Sequence, residues 1–99
     1  MGCYMEVIKE ITKDQVETVI ELSSSGLKYK LVEYVESLPD LVKAELAFLS
    51  WKGRGDDIAD EPSEIDAILD EVQDQTFVSY LVNSPLHMYL SETLRLGYL

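Results

Sequence analysis

The chain contains one cysteine, one histidine and eight basic residues, and each scarcity excludes a class of function. A lone Cys3 cannot close an intramolecular disulfide, which rules out a disulfide scaffold and points to a reducing compartment. With His87 as the single histidine, neither a zinc site nor a Cys/His nucleophile pair can be assembled within one chain by the usual ligand rules. The longest apolar run is four residues, Leu46-Ala47-Phe48-Leu49, whereas a membrane span needs roughly 18. Met1 to Glu10 lacks the basic start and apolar stretch of a signal peptide. Met1-Gly2-Cys3 invites a lipidation reading, but Glu6 stands where myristoylation requires Ser or Thr. A cytoplasmic protein with no membrane contact is therefore expected. The eight basic residues face 19 acidic ones, and the net charge of -11 opposes broad contact with nucleic acid phosphates.

What is present is enough for one domain over residues 1–99. A chain of 99 residues that is 46% hydrophobic should bury roughly 60 to 70% of its unfolded surface. No repeat or low-complexity tract divides it, and its connections are short.

The spacing of apolar residues predicts an all-α bundle of five or six short helices. Thr12 followed by Gln15 is a capping box flanked by the staple pair Ile11 and Val16, which opens a helix over about 13–24 that Gly26 stops. Leu31, Tyr34, Val35 and Leu38 then share one helical face. The alternation Leu27, Tyr29, Leu31 equally suits a strand, and helix is preferred because no second strand is there to pair. Pro39 and Asp40 suit the first turn of a central helix over about 39–52. Between Leu41 and Trp51 that helix is apolar around most of its circumference, so it should be the core, ending at Gly53. Gly53 to Asp57 reads as a loop, with Ile58 tucked inward. Pro62 and Ser63 open an amphipathic helix carrying Ile65, Ile68, Leu69 and Val72. A short helix containing Phe77, Val78, Leu81 and Val82 should end at a left-handed Asn83. Ser84 as cap and Pro85 in the first turn should start a last helix that runs to Gly97.

The stretch from Leu46 to Asp56, and the later Tyr80-Leu81-Val82-Asn83-Ser84-Pro85-Leu86-His87-Met88-Tyr89-Leu90, resemble a short uncharacterised bacterial helical domain family. In that family a hydrophobic helix leads into Gly-Arg-Gly-Asp, and the chain closes with a Pro-Leu and Tyr-Leu segment. The resemblance covers about residues 38–94. It implies an all-helical bacterial domain and assigns no activity, cofactor or catalytic residue.

Several residues could carry chemistry. Arg54-Gly55-Asp56 is the tripeptide that integrin ligands display, but a helix cap with a local salt bridge explains it more simply in an acidic chain. The guanidinium of Arg54 could alternatively clamp an anion or a partner. Glu45, on the apolar central helix, is the best candidate for a buried carboxylate, where pairing with a lysine or lining an interface is favoured over catalysis. His87, in the first turn of the last helix, is read as a packing or capping residue. Glu45, Arg54 and His87 are the candidate anion or partner contacts, and a pocket joining them would favour a small-molecule site.

Charge is unevenly distributed. Residues up to Lys52 carry a net charge of -3, and the remainder carries -8. Nine carboxylates fall within the nineteen residues from Asp56 to Asp74. Asp56, Asp57, Asp60 and Glu61 are candidate cation ligands, although Glu61 and Ala67 stand where the calcium-binding loop requires Gly and a bidentate Glu. The alternative that follows is a metal or small-molecule protein, or an enzyme using these carboxylates. Much of this charge is explained as keeping a small helical domain soluble; the functional reading is a docking face made of Asp57, Asp60, Glu61, Glu64, Asp70 and Glu71 that receives a basic protein partner, with no cofactor. Trp51, Phe48, Tyr80, Tyr89 and Tyr98 add the expectation of an aromatic surface for a two-fold homodimer.

Overall fold

A computed structural model describes residues 7–99. Cys3 and the Met1 to Glu6 stretch, on which the redox and lipidation readings rest, lie outside the described residues. The described chain is all-helical with no strand. Its elements are α1 (Lys13–Ser24), α2 (Lys28–Glu36), α3 (Asp40–Arg54), α4 (Pro62–Val72), α5 (Phe77–Val82) and α6 (Leu86–Arg95). None of these helices is long and apolar enough to cross a membrane.

Local signals in the sequence account for α1. The Thr12 hydroxyl accepts the N–H of Gln15 at 3.1 Å, and the Gln15 side-chain oxygen accepts the N–H of Thr12 at 2.9 Å. Two orphan donors of the first turn are thereby satisfied reciprocally. Ile11 and Val16 are both buried beside this cap. In α2 the buried residues are Leu31 and Val35, spaced as one helical face requires.

The central helix α3 is the core, as its composition predicts. Val42, Ala44, Glu45, Leu46, Ala47, Phe48, Leu49 and Ser50 are all buried. Its main neighbours are α6 and α4, while α1 packs on α6 and α2 packs on both α1 and α5. The apolar breadth of α3 is covered within one chain.

Several helix ends differ from the sequence reading. The central helix does not end at Gly53 but continues to Arg54, and Gly55 is the left-handed residue, with φ of 100°. The N–H of Asp56 reaches Trp51 O at 3.0 Å and that of Gly55 reaches Lys52 O at 3.1 Å, the paired bonds of a Schellman end. Gly53 is needed for a different purpose, because a Cβ there would lie 1.8 Å from Tyr89 O and 2.4 Å from Thr93 Oγ1. It lets the backbones of α3 and α6 approach. The Thr93 hydroxyl lies 2.6 Å from Leu49 O and 2.9 Å from Tyr89 O, sharing its proton across that crossing.

Asn83 is right-handed, with φ of -75°, rather than a left-handed cap. Ser84 does not cap α6, since its hydroxyl turns back to donate to Leu81 O at 2.6 Å. Pro85 occupies the cap position rather than the first turn. Ser23, from α1, supplies the missing acceptor by taking the N–H of His87 at 3.2 Å. Pro39 likewise stands one residue ahead of α3, at its cap position.

Candidate functional site

Glu45, Arg54 and His87 do not converge. Each is held in a different part of the fold by a different partner set. Glu45 is fully buried on α3. Its carboxylate accepts the backbone N–H groups of Lys9 at 2.8 Å, Glu10 at 3.1 Å and Ile11 at 2.7 Å. Three successive amides of the irregular segment before α1, bent at Glu10, thus converge on one carboxylate, which satisfies its charge by hydrogen bonding. The expected lysine partner is replaced by backbone. The result is a structural latch that ties the segment before α1 to the core helix.

Arg54 ends α3 and turns its guanidinium onto Asp56 across Gly55. Nε donates to Oδ1 at 3.1 Å, and the terminal nitrogen donates to Oδ2. The bidentate pair raises the guanidinium pKa, with the Tyr80 hydroxyl beside it contributing next. The same bond holds the Asp56 carboxyl below its usual range. Gly53 and Arg54 are helical, so the Arg-Gly-Asp tripeptide folds on itself and is not displayed on a free loop. The fork that an external anion would need is already occupied.

His87 is half-buried in the first turn of α6, with Nδ1 3.0 Å from the Ser23 hydroxyl. Ring and backbone of one residue are therefore both fixed by one side chain of α1.

The acidic residues fall into two groups. Asp60 is part of a clasp centred on Lys52, which the sequence marks only as a polar interruption of the core helix. Lys52 Nζ lies 3.3 Å from Asp60 and donates to Ile58 O. It also sits 6.0 Å from the Phe48 ring centre and 5.9 Å from that of Tyr98. Phe48 and Tyr98 meet edge to face at 6.5 Å, and the Tyr98 hydroxyl donates to Asp60 at 3.3 Å. One ammonium thereby gathers the loop before α4 and the end of the chain onto α3. The stacking position of Lys52, four residues after Phe48, is the sequence signal that could have found it.

The second group has no cationic partner among the described residues. It comprises Asp57, Glu61, Glu64, Asp66, Asp70, Glu71 and Asp74. All are exposed except Glu64, which is half-buried. Ile65 and Ile68 face the core from α4, and this fixes Asp66, Asp70 and Glu71 toward solvent. Asp74 is held by the N–H and hydroxyl of Thr76, at 2.8 and 2.7 Å, which together lower its pKa. Among the described residues no group of three or more Asp, Glu, His or Cys side chains is arranged to hold a metal ion. Asp56 and Asp60 are drawn apart to Arg54 and Lys52, whereas Asp57 and Glu61 stay exposed.

The five aromatics expected at a dimer surface are mostly internal. Phe48 and Tyr98 are buried, Trp51 and Tyr89 are half-buried, and Tyr80 alone of the five is exposed, at 58%. Comparison with protein-family models, with curated proteins and with solved structures finds no significant match to this chain.

Proposed function

We propose that this protein is a non-enzymatic interaction module whose acidic face receives a basic protein partner. The observation that carries this reading is how the charges after Lys52 are distributed. Both arginines of that half are already paired, Arg54 with Asp56 and Arg95 with Glu92. Lys52 takes Asp60, and seven carboxylates on α4 and its flanking turns are left without a cationic partner among the described residues. Their field repels phosphates and steers a basic surface toward α4. The groups that could do chemistry, Glu45, Arg54 and His87, are each engaged in holding the fold.

The test is affinity capture from the native host at low and high salt, with the wild-type chain beside a variant carrying Glu64→Gln, Asp66→Asn, Asp70→Asn and Glu71→Gln. A basic protein should be retained by the wild type at low salt, released at high salt and lost from the variant. Retention of nothing basic, or equal retention by the variant, would overturn the reading.

A further inference from the structure

Three surface cavities share lining residues in sequence along α5 and its end, and they differ in charge. The first, of about 360 Å³, is lined by Asp70, Glu71, Asp74, Phe77 and Tyr80. The second, of about 240 Å³, shares Tyr80 with the first and adds Trp51, Arg54 and Asn83. The third, of about 330 Å³, shares Asn83 and Ser84 with the second and is lined by Lys28, Ser23, His87, Leu31 and Pro85. Phe77, Tyr80 and Ser84 lie on one face of α5 and its end, so the cavities follow one another along the helix.

The first cavity is negative, because its three carboxylates have no cationic partner among the described residues. The second is electrically neutral, since Arg54 is cancelled by Asp56, and its surface is the half-buried Trp51 and the exposed Tyr80. The third is positive. Lys28 has no carboxylate partner among the described residues and donates only to the neutral Asn83 side chain. The N-terminal end of α6, with its positive dipole, opens beside it.

We infer that this groove binds an extended segment of a partner protein, with a Lys or Arg in the cavity of Asp70 and Asp74, an apolar or aromatic side chain against Tyr80 and Trp51, and a carboxylate beside Lys28. The inference rests on the docking function proposed above and adds the order of charges in the partner. Charge complementarity at both ends fixes which end of the groove takes the base and which the acid, which a uniformly acidic face would not do. The aromatic middle supplies the contact area at little conformational cost.

Selection of a random heptapeptide library on the full-length protein at low salt tests the inference. The expected enrichment is a basic residue near one terminus, an apolar residue between and an acidic residue near the other. The best such peptide should lose about two- to fivefold in affinity when its acidic residue becomes an amide, as expected for one exposed ion pair. Lys28→Glu, at an exposed position, should exchange the preferred acid at that end for a base. Asp70→Asn, Glu71→Gln and Asp74→Asn together should abolish selection of the base at the other. Enrichment of basic residues without the acid, or a Lys28→Glu variant that selects the same peptides, would overturn the inference and leave the docking function standing. A library with no charge preference would overturn both.

Discussion

The hydroxyl of Ser23 accepts the N–H of His87, so a residue near the end of α1 caps the first turn of α6 through an amide 64 positions later. Caps are ordinarily local, and here the neighbouring Ser84 bonds elsewhere. Ser23→Ala should therefore destabilise the fold by about 1 kcal/mol, the usual loss for a capping side chain. Ser84→Ala should not affect the exchange of the His87 amide. Denaturant unfolding with hydrogen exchange at His87 checks both.

The Glu45 latch makes a larger claim. Glu45→Ala removes the acceptor for three backbone amides, of which Ile11 is buried, and should cost about 3 kcal/mol. Glu45→Gln retains one acceptor oxygen and should cost roughly half as much. In both variants the amides of residues 9–11 should exchange faster than those of α3. If exchange there stays at the wild-type rate, the latch is not what holds the segment.

Gly53 and Gly55 should respond to alanine for different reasons. At Gly53 an added methyl meets the Tyr89 carbonyl, a backbone atom that moves only if α6 shifts, so Gly53→Ala should destabilise by about 3 kcal/mol, the upper end of overpacking. At Gly55 there is open space, and only the positive φ is strained. Gly55→Ala should cost about 1 kcal/mol. Thermal melts of the two variants give the comparison, and a Gly53→Ala protein as stable as Gly55→Ala would refute the close approach.

Stability should depend on pH in two opposing ways. Asp56, Asp74 and Glu92 have lowered pKa values in the fold, through bonds from Arg54, Thr76 and Arg95 respectively. Their contribution is fully present above the ordinary carboxylate range, about pH 4, and is lost as pH falls through the lowered values. The net charge of -11 acts the other way, because protonation toward the pI near 4.2 relieves self-repulsion. Melting temperature should rise modestly from pH 7 to about 5 and fall below about 4. Added salt should raise it at pH 7 by screening. Asp74→Asn should blunt the acid-side fall, and a melting temperature insensitive to salt at pH 7 would contradict the repulsion.

The sequence alone determined the helices and the inward faces, because both depend on interactions within about one turn. The Thr12 and Gln15 box placed α1 over Lys13–Ser24, the apolar breadth of residues 41–51 identified the core, and Pro62 opened α4. The asymmetry of charge was equally legible, since it is a sum over residue types. Tertiary structure alone decided what polar groups do when their partners are distant in the chain. Glu45 reads as an isolated acid until Lys9, Glu10 and Ile11 close on it from 34 to 36 residues away. Gly53 reads as a helix stop until α6 crosses it. The groove along α5 draws Lys28, Trp51, Asp70 and Asn83 from four different parts of the chain. Periodicity records which face of a helix is buried, but not which helix covers it. That choice fixes both the hydrogen bonds that hold this fold and the opposite charges at the two ends of its groove.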